Sequence, residues 1–341
     1  MRKRLSPRGP WVSIILVLAM IVTGVLLFRG MTAPRPLRVV LVLDGQDGDG
    51  SFGFSAVAGM KKAAKDLKIS ARYLECLNDP KNYLPRLADA AATSDMVICV
   101  GSGLAQQLSA AAQANPKISF ALIDGAVAAP NVVSAVFRQN ESAYLAGILA
   151  ARLTTHGGER LNPQKVIGLI MGDDIPVLRD FRVGYEAGAQ RVDPKIQVLV
   201  DYAGDWGNRE LGAKLAAGQH ERGADVIFQA AGLTGLGVLD AAREGKYYAI
   251  GCDAPQDDLA PGDVVASAIK RVDNAVYDLI RAATQKTLPL GKKLSLGLTE
   301  DAVGLVLGKQ TSALVAPDIR AQLNDAAEKI RKGDIEVPSV F

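Results

Sequence analysis

Short apolar runs alternating with amphipathic segments constrain this chain more than any other feature of it. Residues 37–43, 71–75, 96–100, 118–123 and 132–137 read as strands, rich in β-branched and aliphatic side chains. The stretches between them carry helical periodicity: within residues 54–67, Val57, Met60, Ala64 and Leu67 share one face at spacings of three and four. A second series follows Gly157-Gly158, with strands at 166–171, 196–202, 225–231 and 247–252 and helices near 177–192 and 209–222. Such alternation predicts mostly parallel, doubly wound sheets, here in two similar α/β lobes. Residues 141–154, with Leu145, Leu149 and Leu153 stacked at four-residue spacing, are expected near the crossing between lobes. Residues 316–332 turn polar and read as a final helix ending near Gly333.

The second series also carries the most informative chemistry. The strand that begins at Asp225 runs into a glycine-rich turn at Gly232, Gly235 and Gly237, and the next strands lead to Asp253 and Lys270. Small ligands bind outside the carboxyl ends of strands in open α/β sheets. There Asp253 can accept two hydroxyl hydrogen bonds, Lys270 can donate to the same hydroxyls, and glycines allow close backbone approach. That combination predicts a site for a polyol or sugar. A dinucleotide cofactor fits less well, because Gly232-x-x-Gly235-x-Gly237 reverses the required order of the phosphate-binding loop.

Cys76, Cys99 and Cys252 are widely spaced and lack a C-x-x-C pattern, and Cys99 and Cys252 lie in apolar strand contexts that read as buried thiols. His156 and His220 have no ligand spacing and read as surface residues. No metal, cofactor or catalytic constellation is expected. Two open lobes facing each other without catalytic groups describe a clamshell that closes around a ligand.

The net charge of +3 arises at the N-terminus, where residues 1–37 hold six basic residues and no acid, leaving −3 for the remainder. A nucleic-acid partner therefore has little support. Residues 11–28 form an 18-residue run without charge, preceded by Arg2, Lys3, Arg4 and Arg8. By the positive-inside rule this keeps the N-terminus cytoplasmic and the rest of the chain outside. Thr32-Ala33-Pro34 is a poor cleavage context and no cysteine lies nearby, which favours an uncleaved membrane anchor over a signal peptide or a lipid-modified cysteine.

Further motifs occur in a characteristic order: Asp49-Gly-Ser-Phe-Gly53, Ala143-Tyr-Leu-Ala-Gly147, Ile175-Pro176, Gly204-Asp-Trp-Gly-Asn208 and Ile330-Arg-Lys-Gly-Asp-Ile-Glu-Val-Pro338. Together with the residues above they resemble the basic membrane protein family over roughly residues 37–338. That family comprises substrate-binding proteins of ABC transporters, including purine-nucleoside receptors. The resemblance implies a periplasmic-binding-protein type I clamshell. Residues 1–36 would be the anchor and linker, 37–140 the first lobe, completed by parts of 270–341, and 141–269 the second lobe.

It also implies roles for residues. Phe52 and Trp206 would stack on a purine base, Asp49 and Gly232 would line the site, and Asp124 would face the base edge. Asp253 and Lys270 would hold the ribose hydroxyls. Gly53 stands where the family has an asparagine, which predicts looser discrimination among bases. The implied partners are a small-molecule ligand, a purine nucleoside, and an ABC permease. Two other readings use the same residues: a membrane-anchored sensory protein, and a nucleoside-processing enzyme. The second is disfavoured by the absence of a catalytic constellation.

Mass spectrometry of the native protein is expected to find residues 11–28 retained. A mature N-terminus between Gly30 and Leu37 would contradict the anchor.

Overall fold

The computed structural model describes residues 35–341, and the anchor expected at residues 11–28 lies outside them. The first series gives β1 (Arg38–Leu43), α1 (Phe52–Leu67), β2 (Ser70–Glu75), α2 (Tyr83–Thr93), β3 (Met96–Val100), α3 (Ala105–Ala114), β4 (Ser119–Ile123) and β5 (Val132–Phe137). The second gives α4 (Gln139–His156), β6 (Val166–Met171), α5 (Pro176–Val192), β7 (Gln197–Tyr202), α6 (Arg209–Glu221), β8 (Ala224–Ala230), α7 (Gly232–Gly245), β9 (Tyr248–Asp253) and β10 (Val264–Lys270). The chain ends with α8 (Val272–Thr284), β11 (Lys293–Leu296), β12 (Val303–Leu307) and α9 (Pro317–Lys332).

Two six-stranded sheets result, in the orders β11-β5-β4-β3-β1-β2 and β12-β10-β9-β8-β6-β7. Every pairing in the first is parallel, and in the second only β12 runs antiparallel, against β10. Strand alternation sends side chains to both faces. Val39, Leu41 and Leu43 of β1 join the core that includes α1, whereas Val40 and Val42 join the one that includes α2 and α3. A sheet covered on both faces needs apolar residues at consecutive positions, which is why these strands were visible as runs.

The C-terminal segment divides between the sheets. α8 packs on α1 and β11 extends the first sheet beyond β5, while β12 extends the second sheet and α9 packs on α4. The chain therefore crosses between sheets three times, at Arg138, at Arg271 and across residues 297–302. The crossings are tied to one another. Arg138 donates from its backbone to Leu296 O (2.8 Å) and from its guanidinium to Glu141 (2.7 Å) and Glu300 (2.8 Å). Glu141 also accepts the Leu298 N–H at 2.6 Å, and the Arg271 N–H reaches Ala302 O at 2.8 Å. Glu141 thus joins the first crossing to the third.

α4 is buried on nearly every side, between the second sheet and α5. It meets α5 backbone to backbone. A Cβ on Gly147 would lie 2.1 Å from Tyr185 O, one on Gly184 2.2 Å from Asn140 O, and one on Gly188 2.0 Å from Tyr144 O. Because the obstructing atoms belong to helix backbone, neither helix can yield locally. Gly188→Ala is expected to lower stability by about 1–3 kcal/mol through overpacking, read by urea unfolding. An unchanged midpoint would show that the helices separate freely.

Candidate functional site

The carboxyl ends of both sheets face one cavity of about 450 Å3, within the range typical of small-molecule sites. All seven residues singled out from the sequence, Asp49, Phe52, Asp124, Trp206, Gly232, Asp253 and Lys270, line it. Asp124 follows β4 directly, and Asp253 and Lys270 are the last residues of β9 and β10 rather than lying beyond the strand ends. Both aspartates have left-handed backbone, φ 65° and 63°. A non-glycine residue is uncommon there, and such conformations concentrate at functional sites.

The central contact joins the two sheets. Lys270 Nζ donates to Asp124 Oδ2 at 2.5 Å, and both residues are almost fully buried. Asp253 Oδ2 accepts from Ser51 Oγ at 2.7 Å, again across the cleft, and Gln256 Nε2 donates to Gly50 O at 3.1 Å. The other oxygens, Asp124 Oδ1 and Asp253 Oδ1, are buried and accept no hydrogen bond within the protein. Burial alone would lower the Lys270 pKa, but Asp124 and Asp253 outweigh it and hold the ammonium above its ordinary value, so it is charged. The ring of Phe52 lies 5.0 Å from the same ammonium, a cation–π distance.

This geometry alters two sequence expectations. Lys270 was expected to act with Asp253 while Asp124 stood apart at the base edge. Instead the ends of β4 and β10 meet, and the ammonium bonds to Asp124 while feeling the charge of Asp253. Asp49 turns its carboxylate inward, where it accepts backbone N–H bonds from Ser51 (2.9 Å), Gly53 (2.9 Å) and Phe54 (3.0 Å) at the start of α1. It shapes the loop that presents Ser51 and Phe52.

Gly53 is explained by the same loop. A Cβ there would fall 2.1 Å from Gln46 O, so no asparagine side chain fits at this position as the loop is folded. Trp206 packs on Gly172, where a Cβ would lie 2.5 Å from the indole, and lies over Gly232. Gly235 and Gly237 serve packing rather than phosphate binding: their Cβ positions would strike Gln229 Oε1 and Arg209 O. The three cysteines are buried, and burial pushes the Cys252 thiol far up. His220 is half-buried against Tyr247.

Asp44 was not among the residues singled out from the sequence. It follows β1, lines the cavity, and accepts the Gly45 N–H at 2.8 Å. Burial pushes its pKa up to about 7, with the charge of Asp124 adding to the rise and the Gly45 and Gly103 amides opposing it. The signal available in the sequence was its position at a strand's carboxyl end.

A two-lobed α/β clamshell with a polar, aromatic-lined cleft between its sheets is the architecture of a small-molecule binding protein. The family described as ABC transporter substrate-binding protein PnrA-like matches residues 37–340, and the chain belongs to it. Basic membrane protein D of Borreliella burgdorferi is 33% identical over 308 residues, covering 88% of this chain and 87% of that protein. An uncharacterized lipoprotein of Pyrococcus horikoshii is 30% identical, covering 88% and 84%. Among solved structures, an ABC transporter solute-binding protein of Aeropyrum pernix superposes with a TM-score of 0.80 at 26% identity, covering 89% of this chain and 94% of that one. The family and these neighbours are solute-binding proteins rather than enzymes, and the family works outside the cytoplasm. Among the described residues no helix is long and apolar enough to cross a membrane.

The raised pKa of Asp44 sets a pH test. A carboxyl whose folded pKa lies above its unfolded value contributes stability below the unfolded pKa and loses it as pH rises through the folded one. The native protein therefore loses this contribution between about pH 4 and pH 7. Asp44→Asn cannot lose it, so the variant should gain on the native protein by roughly 1–3 kcal/mol between pH 4 and pH 8, reduced from the full linkage value because Asp44 keeps some solvent access. Urea unfolding at the two pH values measures the difference, and a constant gap would contradict the burial of this carboxyl.

Proposed function

We propose that this protein is the extracytoplasmic receptor of an ABC importer, tethered by residues 11–28, and that it binds a purine nucleoside between its sheets and delivers it to the permease. One observation carries the reading. Two buried carboxylate oxygens without a protein donor, Asp124 Oδ1 and Asp253 Oδ1, belong to the carboxylates whose charges act on a single buried ammonium. Unsatisfied buried acceptors are costly, and they become favourable when a ligand supplies donors. Vicinal hydroxyls match this set, because each can donate to a carboxylate and accept from the ammonium.

Phe52 and Trp206 supply apolar ring faces in the same cavity, suited to an aromatic base at the other end of a ribose. The protein acts as a binder, not a catalyst: among the described residues the cavity lining contains no histidine, and its cysteine, Cys252, is held in the thiol form by burial. Neither a cofactor nor nucleic acid enters this reading.

Isothermal titration calorimetry tests it. Adenosine, guanosine or inosine should bind, and Asp253→Asn should weaken that binding by roughly 1.5–3 kcal/mol, the size of a charge-assisted hydrogen bond. Binding of free adenine should change little. Equal losses for base and nucleoside would remove Asp253 from the ribose, and no binding of any purine nucleoside at millimolar concentration would refute the ligand class.

A further inference from the structure

The sheets end in β11 and β2 on the first and in β12 and β7 on the second. A sheet edge presents unpaired N–H and C=O groups, and charged side chains are a common guard against pairing with another chain. β11 carries Lys293, β2 carries Arg72 and Glu75, and β7 carries Asp201. β12 lacks this guard: Val303-Gly-Leu-Val-Leu307 is uncharged throughout, and so are Ala302 and Gly308 beside it. Charge returns at Asp301 and Lys309, one on either side of the run and both exposed.

Among the described strands β12 pairs with β10 alone. In that antiparallel pair the Arg271 N–H reaches Ala302 O at 2.8 Å, and the Gly308 N–H reaches Val265 O at 2.9 Å. Hydrogen-bonded pairs alternate along an antiparallel ladder, so Gly304 and Val306 bond inward to β10. Val303, Leu305 and Leu307 turn their N–H and C=O groups outward. The side chains of Leu305 and Leu307 pack on the core, and a groove of about 390 Å3 lies between them and Leu323 and Ala327 of α9. On the opposite face Val306 is exposed, and a Cβ on Gly304 would meet nothing within 4 Å.

We propose that β12 is an interface for a second copy of this chain, the two strands pairing antiparallel about a two-fold axis through Leu305. The strand is complementary to itself in this register. Leu305 meets Leu305 of the other copy, Val303 meets Leu307, and each outward N–H and C=O gains a partner, while the groove beside α9 receives the apolar side chains of the added strand. Charge fixes the register: positions 301 and 309 are equidistant from 305, so Asp301 of each copy faces Lys309 of the other. A shift to any other centre loses that match. The interface uses none of the residues that line the ligand cleft, so it stands apart from the choice of ligand.

Cysteine cross-linking of the full-length chain in its native membrane tests the register. A hydrogen-bonded antiparallel pair holds its Cα atoms about 5.5 Å apart, within disulfide reach, so mild oxidation should link Leu305→Cys into a dimer on a non-reducing gel. Val306→Cys should stay unlinked, because the strand spacing and an offset of two residues place its two copies about 8 Å apart, beyond that reach. The native Cys76, Cys99 and Cys252 are buried and give no background. Light scattering of the full-length protein in detergent should read a dimer. Val306→Lys, which gives β12 the charge that the other edges carry, should raise its dissociation constant about tenfold or more without altering the far-UV circular dichroism. A monomer in detergent, no cross-link at residue 305, equal cross-linking at residues 305 and 306, or a dimer indifferent to Val306→Lys would each overturn the interface.

Discussion

The buried ammonium of Lys270 is the contact on which the rest of the cleft depends. It sits on the second sheet, its hydrogen-bonding partner Asp124 sits on the first, and Asp253 acts on it from the second. A buried charge is tolerated only when it is paired and hydrogen-bonded, and removing one partner typically costs 3–5 kcal/mol. The approach of the two sheets and the pairing of this charge are therefore one event. Ser51 to Asp253 and Gln256 to Gly50 repeat the pattern with neutral donors.

The connections between the sheets are tied together beneath the cleft. Three chain crossings connect the sheets, and Arg138, Glu141 and Glu300 lock the first to the third while Arg271 hydrogen-bonds to the third through its backbone. The ends of β4, β9 and β10 meet above these connections, where Asp124, Asp253 and Lys270 converge. The backbone contact of α4 with α5 at Gly147, Gly184 and Gly188 keeps the wall carrying Phe181 rigid behind the cleft. A binding site needs this: rigid walls that present fixed groups, joined by a segment that absorbs the motion.

Much of this was legible in the residues. β3, β5 and β6 were placed to the residue, because strands buried on both faces must be apolar at consecutive positions. Asp253 and Lys270 stood out because each ends such a run. β11 and β12 were not legible: four and five residues long, they are edge strands with partly exposed side chains, and their membership in different sheets is decided by tertiary packing. Nor did the sequence show what Asp44 and Asp49 each do. Both are loop aspartates five residues apart that line the cavity, and only the fold shows that Asp49 accepts three backbone N–H groups while Asp44 accepts the Gly45 N–H. The pairing of Lys270 with Asp124 spans 146 residues and two sheets, beyond the reach of any local pattern.

The central claim is that this cleft reads vicinal hydroxyls with Asp253, Lys270 and Asp124. Calorimetric titration of adenosine against the dideoxy analogue lacking both of those hydroxyls tests it most directly, since base and stacking area are the same in both. Sites built to hydrogen-bond a hydroxyl reject analogues without it strongly, because buried polar groups are left unpaired, so the analogue should bind at least about a hundredfold more weakly. Equal affinities would contradict the account, leaving the carboxylates and the ammonium as a bridge between the sheets and not the ligand's binding partners.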